Sequence, residues 1–386
     1  MDSIFNDRMF KMLLAKAGIN LTSKNERYWR MIAAVILCWL PLAVLTLIEG
    51  DFWTGNIQTS FITSFDTQIR ILVSLPIFIL AENQVSVRLS TIMGQFKNSG
   101  IIEKEQHDLF DNIVKKNSKF LSSFWMSFTV FCFCYLQVFL LMFYESENTF
   151  LLTWQIKHIN GELLLSNAGW WSTLISRPIV LFVFYRWFIA IITWGILLRK
   201  ISKLELNLFP MHPDLVGGLG FLGYAIRYFS PITFAISATV AANLIDLIII
   251  ENISLSELRF PVLGFFLFIN VLLTYPLLWF TRKLIDARER SVFENDDFAN
   301  GMLREFRGTL TNGYYNVSQD DLQSVKYSSV SDLSSIMNNA LNMKFVPLTI
   351  KDLIPLWASI VIPLLFVISF EIPLDKLIKD ILSLMF

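Results

Sequence analysis

The sequence predicts an all-α, polytopic transmembrane helix bundle of about seven spans with a small helical cytoplasmic layer. Three observations carry this expectation. Hydrophobic residues make up 54% of the chain and charged residues only 17%, where an average soluble domain carries about 25% charged residues. Apolar runs of about 18 or more residues, enough to cross a roughly 30 Å hydrocarbon core, recur along the chain. Lys and Arg fall almost entirely in alternate loops, as retention of positive charge on the inner side requires. A single soluble core is excluded. The 32 cationic and 32 anionic side chains cancel, so no basic field marks nucleic acid as a partner; the lipid bilayer is the expected one.

The first segment, 1–28, lacks the continuous apolar centre of a cleaved signal peptide. Phe5, Met9, Met12 and Leu13 instead share a helical face opposite Asp7 and Lys11, predicting a cytoplasmic helix on the membrane surface. Five runs then read directly as spans: 31–48, 120–144, 228–245, 260–281 and 353–370. Two more carry charges. The run 170–198 contains Arg177 and Arg186, and the run 66–87 has a shorter apolar centre, 71–81, between Arg70 and Glu82.

Loop charges support counting both. With the N-terminus inside, 24 cations fall in inner segments and four, Lys157, Arg259, Lys376 and Lys379, in outer ones. Spans one to six thus occupy 29–281, with an inner helix over 88–119 whose Phe110, Ile113, Val114 and Leu121 share a face and which runs into span three. A cytoplasmic helical segment follows over 282–352, starting with Arg282/Asp286, Asp286/Arg290 and Arg290/Glu294 at the spacing for i, i+4 pairing. Within it, 308–335 turns polar and reads as a loop. After the last span at 353–370, residues 371–386 place Leu374, Leu377, Ile378, Ile381, Leu382 and Met385 on one stripe, an amphipathic helix for the membrane surface, the bundle or another subunit. No internal repeat is evident.

The most distinctive string is Met211-His212-Pro213-Asp214-Leu215-Val216-Gly217-Gly218-Leu219-Gly220-Phe221-Leu222-Gly223, between spans four and five. Its His-Pro-Asp triplet lacks the helical bundle of a J-domain around it. Gly218, Gly220 and Gly223 spell G-x-G-x-x-G, but no strand precedes them and no crossover follows, so no dinucleotide fold is expected. Two physical readings stay open. His212, Asp214, Gly217, Gly218, Gly220 and Arg227 could form an anion or lipid-phosphate site at the start of span five. Alternatively, Pro213 and the glycines make a tight turn in which Asp214 caps the next helix. Catalysis or metal binding by His212 with Asp214 is a third possibility, but no third ligand is near; no metal and no cofactor are expected.

Charges within spans form the second set of candidates, because an isolated charge at the bilayer centre costs at least about 2.5 to 3.5 kcal/mol. Depth matches Arg186 with Glu82 and Arg177 with Asp246, with Arg70 competing for Asp246 or pairing with Glu49. Arg177 and Arg186, nine residues apart, face opposite sides of their helix. These charges serve either as structural ion pairs or as parts of an ion or substrate pathway. Cys38, Cys132 and Cys134 all lie in apolar stretches, so disulfides are not expected. The G-x-S-x-G, H-E-x-x-H and P-loop signatures are missing from the chain.

The strings Arg70-Ile-Leu-Val-Ser-Leu-Pro76-Ile-Phe-Ile-Leu-Ala-Glu82, the loop carrying H-P-D-x-x-G-G-L-G-F-L, Val346-Pro347 before the last span and Pro373-Leu374-Asp375-Lys376-Leu377 after it resemble an uncharacterised family of bacterial multispanning inner-membrane proteins. The resemblance implies a multi-pass protein of the bacterial inner (cytoplasmic) membrane and no particular substrate. The leading functional expectation is a non-enzymatic protein that moves or gates a small solute or ion, with assembly as a homo-oligomer left open. The alternatives are a membrane scaffold or sensor with a cytoplasmic protein partner, and an enzyme acting on lipid head groups at the inner leaflet.

Overall fold

The computed structural model describes residues 26–56, 59–148, 153–159, 162–251, 253–311 and 337–369. The face built on Phe5, Met9, Met12 and Leu13, the stretch 371–386 and most of the polar segment 308–335 lie outside these residues.

Seven helices are long and apolar enough to cross a membrane. The chain is therefore an integral membrane protein of all-helical, polytopic architecture. In chain order, span one is α1 (Glu26–Glu49). Span two is α2 (Phe65–Ile69), a π-helical turn (Arg70–Ser74) and α3 (Leu75–Asn98). An amphipathic helix, α4 (His107–Leu121), precedes span three, α5 (Phe124–Asn148). Span four is α6 (Asn167–Trp171), a second π turn (Ser172–Ser176) and α7 (Arg177–Ile201). Spans five and six are α8 (Gly223–Ile250) and α9 (Leu255–Thr274); the latter passes through a 3-10 turn at Tyr275–Phe280 into α10 (Thr281–Thr311). Span seven is α11 (Ile350–Ile368).

Three local expectations change. Helix α4 buries Phe110, Val114 and Leu121 as its pattern requires, but it does not run into span three: it stops at Leu121, and Ser123 N–H bonds back to the Phe120 carbonyl at 3.1 Å. Serines compete for backbone groups and favour such a break. Second, the loop after span three contains a small antiparallel hairpin, β1 (Ile156–Ile159) with β2 (Glu162–Leu165), in register Ile156 to Leu165. Third, α10 does continue from span six, but none of the expected ion pairs along it closes among the described residues. Asp286, Arg290 and Glu294 instead line a cavity of about 730 Å³ against the segment 205–211.

Span five is the central helix: 56% of its most apolar window is buried, against 22% for spans one and six. Its small residues explain why. Ala235, Ala238, Ala241 and Ala242 let neighbouring backbones approach. Hydroxyls then bond across the gaps. Ser237 Oγ donates to the Ile360 carbonyl of span seven at 2.7 Å, and Thr233 and Ser359 share a hydrogen bond at 2.5 Å. Ser74 Oγ of span two donates to the Ala235 carbonyl at 2.8 Å.

The two π turns show a local repeat that the sequence reading passed over. Leu72-Val73-Ser74-Leu75-Pro76-Ile77 and Leu174-Ile175-Ser176-Arg177-Pro178-Ile179 adopt the same conformation. In each, the proline lacks the N–H that the helix would need, and the chain widens so that the preceding residue bonds five back: Leu75 to Arg70, Arg177 to Ser172. In each, the serine hydroxyl reaches a carbonyl of another span, Ala235 for Ser74 and Cys38 for Ser176.

Candidate functional site

The loop between spans four and five folds around Asp214. Its Oδ1 accepts from the amides of Val216 at 2.9 Å and Gly218 at 3.1 Å, and its Oδ2 from Gly220 at 2.8 Å, at the 3-10 turn that opens α8. Turn and cap are thus both realised. Gly217 and Gly218 have φ of +65° and +90°, which glycine alone adopts freely, and Leu215 shares that left-handed region at +58°. The Leu215 carbonyl accepts from Lys344 N–H at 2.7 Å, tying the loop to the segment before span seven. The glycine amides do approach an anion, and it is the chain's own carboxylate. An external anion would have to be met by side chains instead.

Those side chains converge. His212, Asp214, Gly218, Gly220 and Arg227 line one cleft of about 440 Å³ with Tyr224, Thr349, Lys351 and Asp352. Asp352 is the residue the sequence reading missed. Its side chain is only 5% exposed. Oδ1 accepts from Arg227 Nε at 2.8 Å and forms an ion pair with Nη2, also at 2.8 Å. Oδ2 accepts from Thr349 N–H at 2.9 Å and Thr349 Oγ1 at 2.6 Å, at the N-terminus of span seven. The signal was legible: Thr349-Ile350-Lys351-Asp352 ahead of an apolar run is the S/T-x-x-D/E capping pattern. Gly223 completes the fit, since a Cβ there would sit 2.5 Å from Asp352 Oδ2.

The electrostatics of the cleft are asymmetric. Every carboxylate oxygen in it already holds at least one donor. On the donor side, Lys351 Nζ and the Tyr224 hydroxyl have no hydrogen-bond partner among the described residues. Arg227 holds Asp352, stacks 4.9 Å from the Tyr224 ring, and lines the cleft with its side chain 36% exposed. The cleft offers spare donors, and each of its carboxylates is already engaged. That suits binding an oxyanion.

Each of the intramembrane charges has at least one polar partner. Glu82 pairs with Arg30 of span one at 3.3 Å. Arg186 donates to Ser127 Oγ of span three at 2.9 Å, and Arg177 to Gln155 Oε1 at 2.8 Å. Arg70 pairs with Asp66 one turn earlier. Asp246 accepts from the amides of Phe65 and Asp66 at 3.2 and 3.1 Å, capping α2 from span five. Glu49 instead meets Lys157 at 3.4 Å and accepts from the Asn167 amide at 2.9 Å. Burial alone would lower the pKa of Lys157, but its bond to Asp51 and the charges of Asp51 and Glu49 outweigh it and raise the pKa above the usual lysine value. Among the described residues no group of three or more His, Cys, Asp or Glu side chains could hold a metal ion.

The pairing of Glu82 has a measurable consequence. Glu82→Gln removes the carboxylate charge that Arg30, whose side chain is 14% exposed, meets at 3.3 Å and is expected to cost about 1 to 3 kcal/mol. The double change Arg30→Met with Glu82→Leu should cost less. Folded yield by size exclusion from detergent reads both; equal yields for wild type and Glu82→Gln would refute the assignment.

Fold and site together define a multi-pass helical membrane protein with a polar, donor-rich cleft where spans five and seven begin. Comparison of the chain with protein-family models, with curated proteins and with solved structures finds no match.

Proposed function

We propose that this integral membrane protein is non-enzymatic and moves or gates a small anionic solute, which it meets in the cleft between the starts of spans five and seven. The observation that carries this reading is the imbalance in the cleft: Asp214 and Asp352 are engaged internally, while Lys351 and the Tyr224 hydroxyl are left to bind beside the partly exposed Arg227. The ligand chemistry is a compact oxyanion, free or as a lipid phosphate. Support for a bacterial inner membrane, with the N-terminus and this cleft on the cytoplasmic side, comes from the cation asymmetry of the loops and from the resemblance of the H-P-D-x-x-G-G-L-G-F-L loop.

The experiment is sulfate binding and uptake by the purified chain in phosphatidylcholine liposomes. Lys351→Gln is expected to weaken binding about tenfold, the scale of one lost charge-assisted bond, with folded yield unchanged. Sulfate binding without uptake favours the sensor alternative. Competition by added phosphatidylglycerol identifies the lipid phosphate as the ligand. No binding by folded protein refutes the proposal.

A further inference from the structure

One lining side chain of the cleft, His212, touches the loop through a single ring nitrogen. His212 Nδ1 lies 2.9 Å from Asp214 Oδ1 and 3.2 Å from the Asp214 backbone nitrogen. These contacts make opposite demands on one nitrogen. With a proton, Nδ1 donates to the carboxylate; without one, it accepts from the amide and turns its lone pair toward an anionic oxygen. The position accommodates both the neutral and the cationic imidazole, and the side chain is 45% exposed, so protons can reach it from solvent.

The charges facing His212 set what its protonation does. Its own loop contributes Asp214, α8 contributes Arg227 and the titratable Tyr224, and α11 contributes Lys351 and Asp352. Two cations oppose two carboxylates, so the cleft is formally neutral when the imidazole is neutral and carries one positive charge when it is protonated. Histidine is the side chain whose charge ordinarily changes between pH 5 and 8. Resting on the oxyanion reading above, we infer that the cleft takes its anion together with a proton, and that His212 carries the proton. One proton cancels one unit of the oxyanion's charge, all of it for a singly charged anion and half for sulfate. This lowers the electrostatic cost that the bare anion would meet on its way into a low-dielectric bundle. The substrate class is thus an oxyanion bound as a proton-and-anion pair.

Sulfate is the suitable probe, because it does not titrate between pH 5.5 and 8 and any pH dependence belongs to the protein. Calorimetry on the full chain in phosphatidylcholine nanodiscs, in two buffers of different ionisation heat, counts protons taken up per sulfate bound. Binding is expected to tighten about tenfold from pH 8 to pH 5.5, the effect of one added unit charge within a cleft of this size. Proton uptake should accompany binding at intermediate pH. His212→Gln should lose both the pH dependence and the uptake and bind at about the pH 8 strength. A measurement without a variant is independent of its folding: of the three histidines, one should show an NMR titration midpoint that rises when sulfate is added. Sulfate binding with no proton uptake, uptake that survives in His212→Gln, or no histidine midpoint moved by sulfate would overturn the inference while leaving the cleft standing. No sulfate binding at any pH would remove the cleft reading itself.

Discussion

Asp352→Ala is expected to destabilise the folded chain by about 3 kcal/mol, the lower part of the range for breaking a buried ion pair, because Arg227 keeps some access to water. The side chain joins two elements at once. Its Oδ1 holds Arg227 of span five and its Oδ2 holds the first turn of its own helix, and the side chain is only 5% exposed. Removing it strands a half-buried guanidinium and frees the Thr349 amide. Asp352→Asn keeps the shape and one acceptor oxygen, so its cost should fall to about half. Unfolding in mixed detergent micelles measures both. If asparagine costs nothing relative to the wild type, the charge is immaterial and its pairing with Arg227 contributes nothing to the fold.

Asp214→Ala is expected to act almost as strongly, but locally. Three amides, those of Val216, Gly218 and Gly220, lose their acceptor together. Leu215, at φ +58°, then has less to hold it in the left-handed region. A hydrogen bond to a charged group contributes about 1.5 to 3 kcal/mol. Water can replace part of the loss in a cleft wall, so about 2 to 3 kcal/mol is expected for the three together. Hydrogen exchange is the direct reading: protection at residues 216–220 should fall by at least about tenfold, while spans five and seven keep theirs. Sulfate binding should weaken with the loop. Unchanged protection would mean that the turn is held by its glycines and by Lys344 alone.

Apolar length sufficed to find the spans from sequence, because a span needs only composition and reach. Charge partners were not legible for a definite reason. Depth along a helix follows from counting residues, but the direction a side chain faces around the bundle depends on packing angles that no residue count supplies. Counting residues placed Arg186 and Glu82 at one depth but did not find Arg30 on span one as a partner of Glu82 or Ser127 on span three as a partner of Arg186. Asp246 feels the charge of Arg70, as depth suggested, and also serves a helix end, which depth did not suggest. The hairpin after span three was missable only by weighting composition over turn chemistry, since Asn160-Gly161 between Ile156–Ile159 and Glu162–Leu165 is a strong hairpin dipeptide. In the cleft, the loop residues were found by their glycines. Lys351 and Asp352 were not, because they arrive from a helix 125 residues away from Arg227 in the chain.

That separation bears on how the protein is made. At ordinary rates of translation, about 5 to 20 residues per second, Asp352 leaves the ribosome roughly 6 to 25 s after Arg227. During that interval span five, the most buried helix of the bundle, sits in the translocon or the bilayer without the helix that covers its Thr233 and Ser237 hydroxyls. Nascent chains stalled before residue 350 would therefore present an open polar seam, the kind of surface that insertion chaperones and membrane proteases survey, and the cleft would form only at the last step of biogenesis.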